Sequence, residues 1–216
     1  ALVGVAEEAG IPKPDCVLEA NAITRTFGGL TAVDVEHLEI QRHTVTSLIG
    51  PNGAGKTTLF NLLSGFDRPD GGDWHLNGGP LVGSAAHRVA RKGKVRTFQL
   101  TRSLARLSVM DIMLVANHVN LGESLRGALF GGWGKAEGDA TLKDDVLLGR
   151  FGLDHMADEY AGSLSGGQRK LLDVARALMV DPEVIMLDEP MAGVNPALTQ
   201  SLLGHITSLR DDGKTV

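Results

Sequence analysis

The chain has 216 residues, 43% of them hydrophobic and 22% charged, which suits one globular domain, or one domain carrying an insertion, built on a real core. A formal net charge of −5 argues against a nucleic-acid-binding surface as the main business. The single cysteine, Cys16, leaves no intrachain disulfide or cysteine-based zinc site, and no run approaches the ~18 consecutive apolar residues that span a bilayer.

Residues 1–16 contain Pro12 and Pro14 and read as a loosely attached extension. Its first residues are apolar or acidic where a secretion signal would be basic, so a soluble protein of a reducing compartment is expected. Residues 17–27 and 33–40 roughly alternate in polarity and predict two half-buried strands. Residues 45–49 form a compact apolar run, read as a strand that stops at Gly50-Pro51-Asn52-Gly53, and Leu59, Phe60, Leu62 and Leu63 give a helical pattern closed by Gly65. A strand at 73–76 ending in Asn77-Gly78, a helix at 84–91 and a short strand at 95–98 follow. Arg88, Arg91, Lys92, Lys94 and Arg96 read as a solvated basic face leading into that strand. From 101 to 163 the pattern is mainly helical with a glycine-rich stretch, and 167–180 predicts an amphipathic helix burying Leu171, Leu172, Val174, Ala175 and Leu178. Residues 184–187 are wholly apolar, as in a strand buried on both faces of a parallel sheet. A helix at 196–209 opens with proline at an allowed first-turn position, and Thr215 begins a further strand. The alternation of strands and helices fits a parallel α/β sheet with a helical insertion near 100–163.

Three short segments carry chemistry. Gly50-Pro51-Asn52-Gly53-Ala54-Gly55-Lys56-Thr57-Thr58 matches G-x-x-x-x-G-K-[ST]. Glycines let successive backbone N–H groups turn toward phosphate oxygens, and a helix starting near Lys56 brings its positive dipole end to the same anion. In that pattern Lys56 reaches the β- and γ-phosphates of ATP and the Thr57 hydroxyl ligates Mg²⁺. The second segment is Val184-Ile185-Met186-Leu187-Asp188-Glu189-Pro190, an apolar strand delivering two carboxylates to the edge where ligands of open α/β sheets sit. Asp188 is placed to hold Mg²⁺ and Glu189 to act as general base toward water; alone, the same segment also reads as a strand ending in an acidic turn. The third is Leu164-Ser165-Gly166-Gly167-Gln168, a second anion cradle at a helix start. One triphosphate needs only one such cradle, so the second makes sense if it covers the γ-phosphate held by another subunit.

Taken in order, the phosphate loop, the glutamine Gln99, L-S-G-G-Q at 164–168 and I-M-L-D-E-P at 185–190 resemble an ATP-binding-cassette (ABC) ATPase, and the likeness covers nearly all of 17–216. The resemblance implies a P-loop NTPase (RecA-like) α/β core at 17–99 and 164–216 with an N-terminal antiparallel β subdomain, and an inserted α-helical subdomain at 100–163. It implies two cassettes, alike or different, that sandwich two ATP molecules head to tail, with Ser165, Gly166, Gly167 and Gln168 of one copy facing the Lys56 loop of the other. It implies further that Phe27 stacks on adenine, where a plain core position is the other reading, and that Gln99 contacts Mg²⁺ and water. The helical subdomain would meet transmembrane permease subunits at the cytoplasmic face of the membrane, and a substrate-binding protein would act only through them.

Asn195 replaces a carboxylate common in the family after the acidic strand, and Arg96-Thr97-Phe98-Gln99 with the glycine-rich insertion at 122–140 is similar to the ATPases of branched-chain amino acid importers. A lipopolysaccharide-export type or a soluble, non-transport ABC ATPase stays open as an alternative. Leu125, Leu129, Phe130 and Trp133 suit either a permease contact or packing within the insertion. The family's γ-phosphate histidine would fall beyond Val216, so residues 1–216 are expected to bind ATP and hydrolyse it poorly; His205, on the preceding helix, is no substitute.

Overall fold

The computed structural model describes residues 14–97, 104–117 and 143–216. Two long strands open it, β1 (Cys16–Phe27) and β2 (Leu30–Gln41), paired antiparallel with Phe27 opposite Leu30. Gly28 and Gly29 between them both have positive φ, 53° and 88°, which is what a two-residue turn matching the strand twist requires. Strand β3 (Gly71–Leu76) pairs with the other edge of β1, and β4 (Gly79–Pro80) follows, giving the order β2-β1-β3-β4. Alternation along the strands buries Leu18, Ala20, Trp74 and Leu76 on one face, and helix α1 (Lys56–Ser64) offers Leu59, Leu62 and Leu63 to the same core. Gly65, at φ 75°, closes α1 as its left-handed C-cap.

After α2 (Ala86–Arg91) comes β5 (Lys94–Arg96), which lies parallel to β6 (Val184–Met186) with Lys94 opposite Val184 and Arg96 opposite Met186. All three residues of β6 are buried, as the apolar run predicts, and Thr215 bridges its other side in parallel. These strands belong to a first compact unit made of residues 1–96, 183–188 and 206–216.

The second unit comprises residues 97–182 and 189–205. Its described helices are α3 (Val109–Asn117), α4 (residues 143–150) and α5 (Gly166–Leu178), and α6 (Pro196–Asp211) begins in it. Ser108 opens α3 with a reciprocal cap: its hydroxyl accepts from the Asp111 N–H at 3.0 Å and its own N–H donates to the Asp111 carboxylate at 3.2 Å. Leu171, Leu172, Val174, Ala175 and Leu178 of α5 are buried, the face the sequence predicts.

Two expectations need correction. Residues 45–49 carry no strand assignment, and Val45, Leu48 and Ile49 are exposed. The Thr46 N–H donates to the Val216 carbonyl and the Val216 N–H to that of Thr44, so ladder bonds hold only the start of the run. The basic run is not one solvated face either: Arg88, Arg91 and Lys92 are exposed, whereas Lys94 and Arg96 are buried.

Candidate nucleotide-binding site

The phosphate loop leads straight into α1. Gly53 and Gly55 sit at φ 83° and 77°, and a Cβ on Gly55 would lie 2.0 Å from the carbonyl oxygen of Ala32 in β2. That approach explains the glycine: the loop is pressed against the neighbouring strand in a backbone conformation that side chains rarely tolerate. As the helix N-cap, Gly55 supplies no side-chain bond, so the first-turn N–H groups of α1 receive no capping side chain and can serve an anion. The Lys56 ammonium folds back over the loop and donates to the carbonyls of Gly50 and Pro51, each at 2.7 Å. Two of its three protons are held there, which aims a full positive charge over the cradle. Thr57 is exposed one residue further on and Thr58 half-buried.

Strand β6 leads to Asp188 in the same unit. Its carboxylate accepts from the Arg96 guanidinium at 2.6 Å, and a second arm of Arg96 donates to the Asn61 side-chain oxygen of α1, also at 2.6 Å. The Arg96 side chain is only 5% exposed and lies 5.6 Å from the Phe60 ring centroid. Two residues back along the strand, Lys94 donates to the Leu63 carbonyl at the end of α1 and lies 4.7 Å from the Trp74 ring centroid. Burial, with the Arg96 charge second, holds the Lys94 ammonium well below the ordinary lysine range.

In the second unit, Glu189 has a φ of 45°, an uncommon value for a residue with a long side chain, and that side chain is exposed. Its carbonyl accepts from the Lys170 ammonium and from the Ala192 N–H, both at 3.1 Å. Ser165 caps α5: its hydroxyl accepts from the Gln168 N–H at 3.2 Å, and its N–H donates to the Gln168 side chain at 2.9 Å. Ser165 and Gly166 are exposed and Gly167 buried; a Cβ on Gly167 would come 1.6 Å from a Leu198 methyl. Glycine here lets α5 start close against α6. The Asn195 side-chain oxygen accepts from the Leu198 N–H at 2.8 Å, so it caps α6 as a carboxylate would.

Phe27 is 47% exposed, which removes the core reading. The Arg25 guanidinium lies 4.7 Å from its ring centroid, and Asp67 and Asp70 hold that guanidinium through hydrogen bonds of 2.7–3.0 Å. Gln99 and Phe98 lie outside the described residues, as do Leu125, Leu129, Phe130 and Trp133. His205 packs its ring 4.7 Å from that of Phe151, and burial lowers its pKa. The residues the sequence reading missed are Asn61, Arg96 as a partner of Asp188, and Lys170. Strand alternation puts Lys94 and Arg96 on one face, but only the register against β6 shows that this face is buried beside Asp188.

The profile of the ABC transporter family matches residues 33–192, which contain the phosphate loop, the glycine-rich cap of α5 and both carboxylates after β6. The chain is 40% identical over 198 residues to the high-affinity branched-chain amino acid transport ATP-binding protein BraF of Pseudomonas aeruginosa, covering 91% of this chain and 78% of BraF. It is likewise 40% identical over 205 residues to LivG of Escherichia coli, a high-affinity branched-chain amino acid transport ATP-binding protein, covering 92% and 79%. Among solved structures, the ADP conformation of an ATP-binding cassette of an ABC transporter superposes with a TM-score of 0.81 at 34% identity, covering 93% of this chain and 79% of that one. Since the match runs through every segment that could handle a triphosphate and on into most of the remaining chain, the protein belongs to the ABC transporter family, as an ATPase subunit that binds and hydrolyses ATP.

Proposed function

We propose that this ATPase drives the import of branched-chain amino acids, docked as a peripheral subunit on the cytoplasmic face of the membrane against transmembrane permease subunits. The substrate class is supported by the names of its relatives. Among the described residues no helix is long and apolar enough to cross a membrane, which is consistent with spanning subunits on other chains. A binding protein would choose the cargo and reach this chain only through the permease. The proposed division is an ATP-binding core at 17–99 and 164–216 and a helical subdomain at 100–163 that meets the permease.

The observation that carries the site is the Lys56 ammonium, held by two loop carbonyls over the uncapped start of α1. Backbone N–H groups of residues 52–58 take the phosphate oxygens, Lys56 spans the β- and γ-phosphates, and Phe27 stacks on adenine. Oxygen donors from Thr57, Asp188 and Gln99 suit Mg²⁺, which is usually held by one or two carboxylates plus substrate phosphates. When bound, that ion neutralises charge developing on the phosphoryl oxygens. Glu189 accepts a proton from water as the water oxygen bonds to the γ-phosphorus, and the bond from that phosphorus to the bridging oxygen breaks to leave ADP. Ser165, Gly166, Gly167 and Gln168 of a second cassette, identical or not, close over the γ-phosphate. Closure of the pair is the step that does work on the permease.

Uptake of radiolabelled leucine in cells lacking this chain tests the assignment. Wild type should restore uptake and Glu189→Gln should not. Leucine, isoleucine and valine uptake that does not change when the chain is removed would refute the substrate class.

A further inference from the structure

We infer that Arg96 is a positioning residue for the metal-binding carboxylate: a buried guanidinium that splits the work of Asp188, fixing one of its oxygens and leaving the other for the cation. The inference rests on the reading of Asp188 as a Mg²⁺ ligand and adds the group that orients it. Parallel register brings Arg96 level with Met186, and from there its side chain reaches the carboxylate two residues further along. The contact at 2.6 Å runs from Nη2 to Oδ2 of Asp188, while Nη1 donates to Asn61 Oδ1 at 2.6 Å. Asn61 stands on α1, the helix that the phosphate loop opens. The planar fork therefore ties the phosphate-binding helix to the carboxylate, with both anchors inside one compact unit.

Three features separate this from an ordinary surface ion pair. The Arg96 side chain is 5% exposed, so its donors are set in a low-dielectric site rather than water. The Phe60 ring, 5.6 Å away, borders the guanidinium and limits its movement. Asp188 is 31% exposed, so its carboxylate is anchored from inside yet still open to an ion arriving from outside. A rigid guanidinium fork holds a geometry that a point-charge ammonium cannot. Groups that hold a metal ligand in place typically govern metal affinity about 10–100-fold when removed.

The probe is Mn²⁺, whose electron paramagnetic resonance signal reports binding directly, titrated into the full chain saturated with ATP. Nucleotide affinity is measured in parallel in EDTA with a fluorescent ATP analogue. Arg96→Met should weaken Mn²⁺ about 10–100-fold while leaving metal-free nucleotide affinity near wild type, and Arg96→Lys should fall between. If Arg96→Met does not fold, Asn61→Ala, which removes only the second anchor, should weaken Mn²⁺ by a smaller factor. Wild-type Mn²⁺ affinity in folded Arg96→Met, or in Asn61→Ala where that variant decides, overturns the inference. Asp188→Asn is the separating control. If it loses Mn²⁺ while the Arg96 variants keep it, only the positioning role fails; if it keeps Mn²⁺, the assignment of Asp188 fails.

Discussion

The two segments proposed as anion cradles in this chain are built by different means. In the phosphate loop, glycine is imposed by a neighbouring carbonyl, the helix start is uncapped, and a full positive charge is folded over the curl by two carbonyls. At the start of α5 there is no lysine in the cradle; the serine and glutamine satisfy each other in a closed cap, and glycine is imposed by a leucine side chain. The first carries its own counter-charge, which suits the triphosphate-binding role proposed for it. The second offers a hydroxyl, backbone N–H groups and a helix dipole, and suits an anion already held by something else. The contrast supports the proposal that each triphosphate is shared by two copies.

That contrast can be broken at its strongest point first. Gly55→Ala drives a Cβ into the Ala32 carbonyl and strains a positive φ, so it should cost about 2–5 kcal/mol in urea unfolding. Gly53→Ala, where a Cβ meets open space, should cost only about 1 kcal/mol. Equal losses at the two positions would show that contact with β2 does not shape the loop. Lys56→Met should lower nucleotide affinity about 10–100-fold, the loss of charge-assisted hydrogen bonds, with little change in unfolding. Affinity like that of wild type would remove the lysine from the account. Gly167→Ala should destabilise by about 1–3 kcal/mol through crowding of Leu198 and leave nucleotide binding to the isolated chain unchanged. Adding Leu198→Ala should recover part of the loss; no recovery would mean that the crowding lies elsewhere.

A smaller effect lies in the second unit, away from either cradle. Asp144 is fully buried, neither carboxylate oxygen has a hydrogen-bond partner among the described residues, and burial, with Asp145 second, pushes its pKa up to about 6. The folded chain thus holds this proton more tightly than the unfolded one, so stability from this group is full below the unfolded value and is lost as pH rises toward about 6. Asp144→Asn should gain stability over wild type at pH 7.5 and lose that advantage toward pH 4, read as urea midpoints. A difference between the two that does not vary with pH would show that Asp144 does not titrate in this range.

Much of this could be read from the residues, and the failures have a physical pattern. Strand β6 was legible because a wholly apolar run suits a strand buried on both faces, whereas the two acids after it, taken alone, also fit a plain acidic turn. The buried face of α5 was legible because Leu171, Leu172, Val174, Ala175 and Leu178 repeat at helical spacing. Lys94 and Arg96 were misread because charge usually marks a solvated face, and here a helix-end carbonyl, a ring and a carboxylate offset the cost of burial. Residues 45–49 form no strand, and the ladder bonds present, between Val216 and residues Thr44 and Thr46, reach only the start of the run. Asn61, Arg96 and Asp188 are far apart in sequence and meet only through the β5–β6 register, which no local pattern announces.

The sharing of triphosphates between two copies is tested most directly by the mass of the Glu189→Gln chain in solution at saturating ATP and Mg²⁺. With hydrolysis blocked, the account predicts a species of twice the chain mass that dissociates when ATP is replaced by ADP. A population that binds ATP yet stays at the mass of a single chain would contradict it.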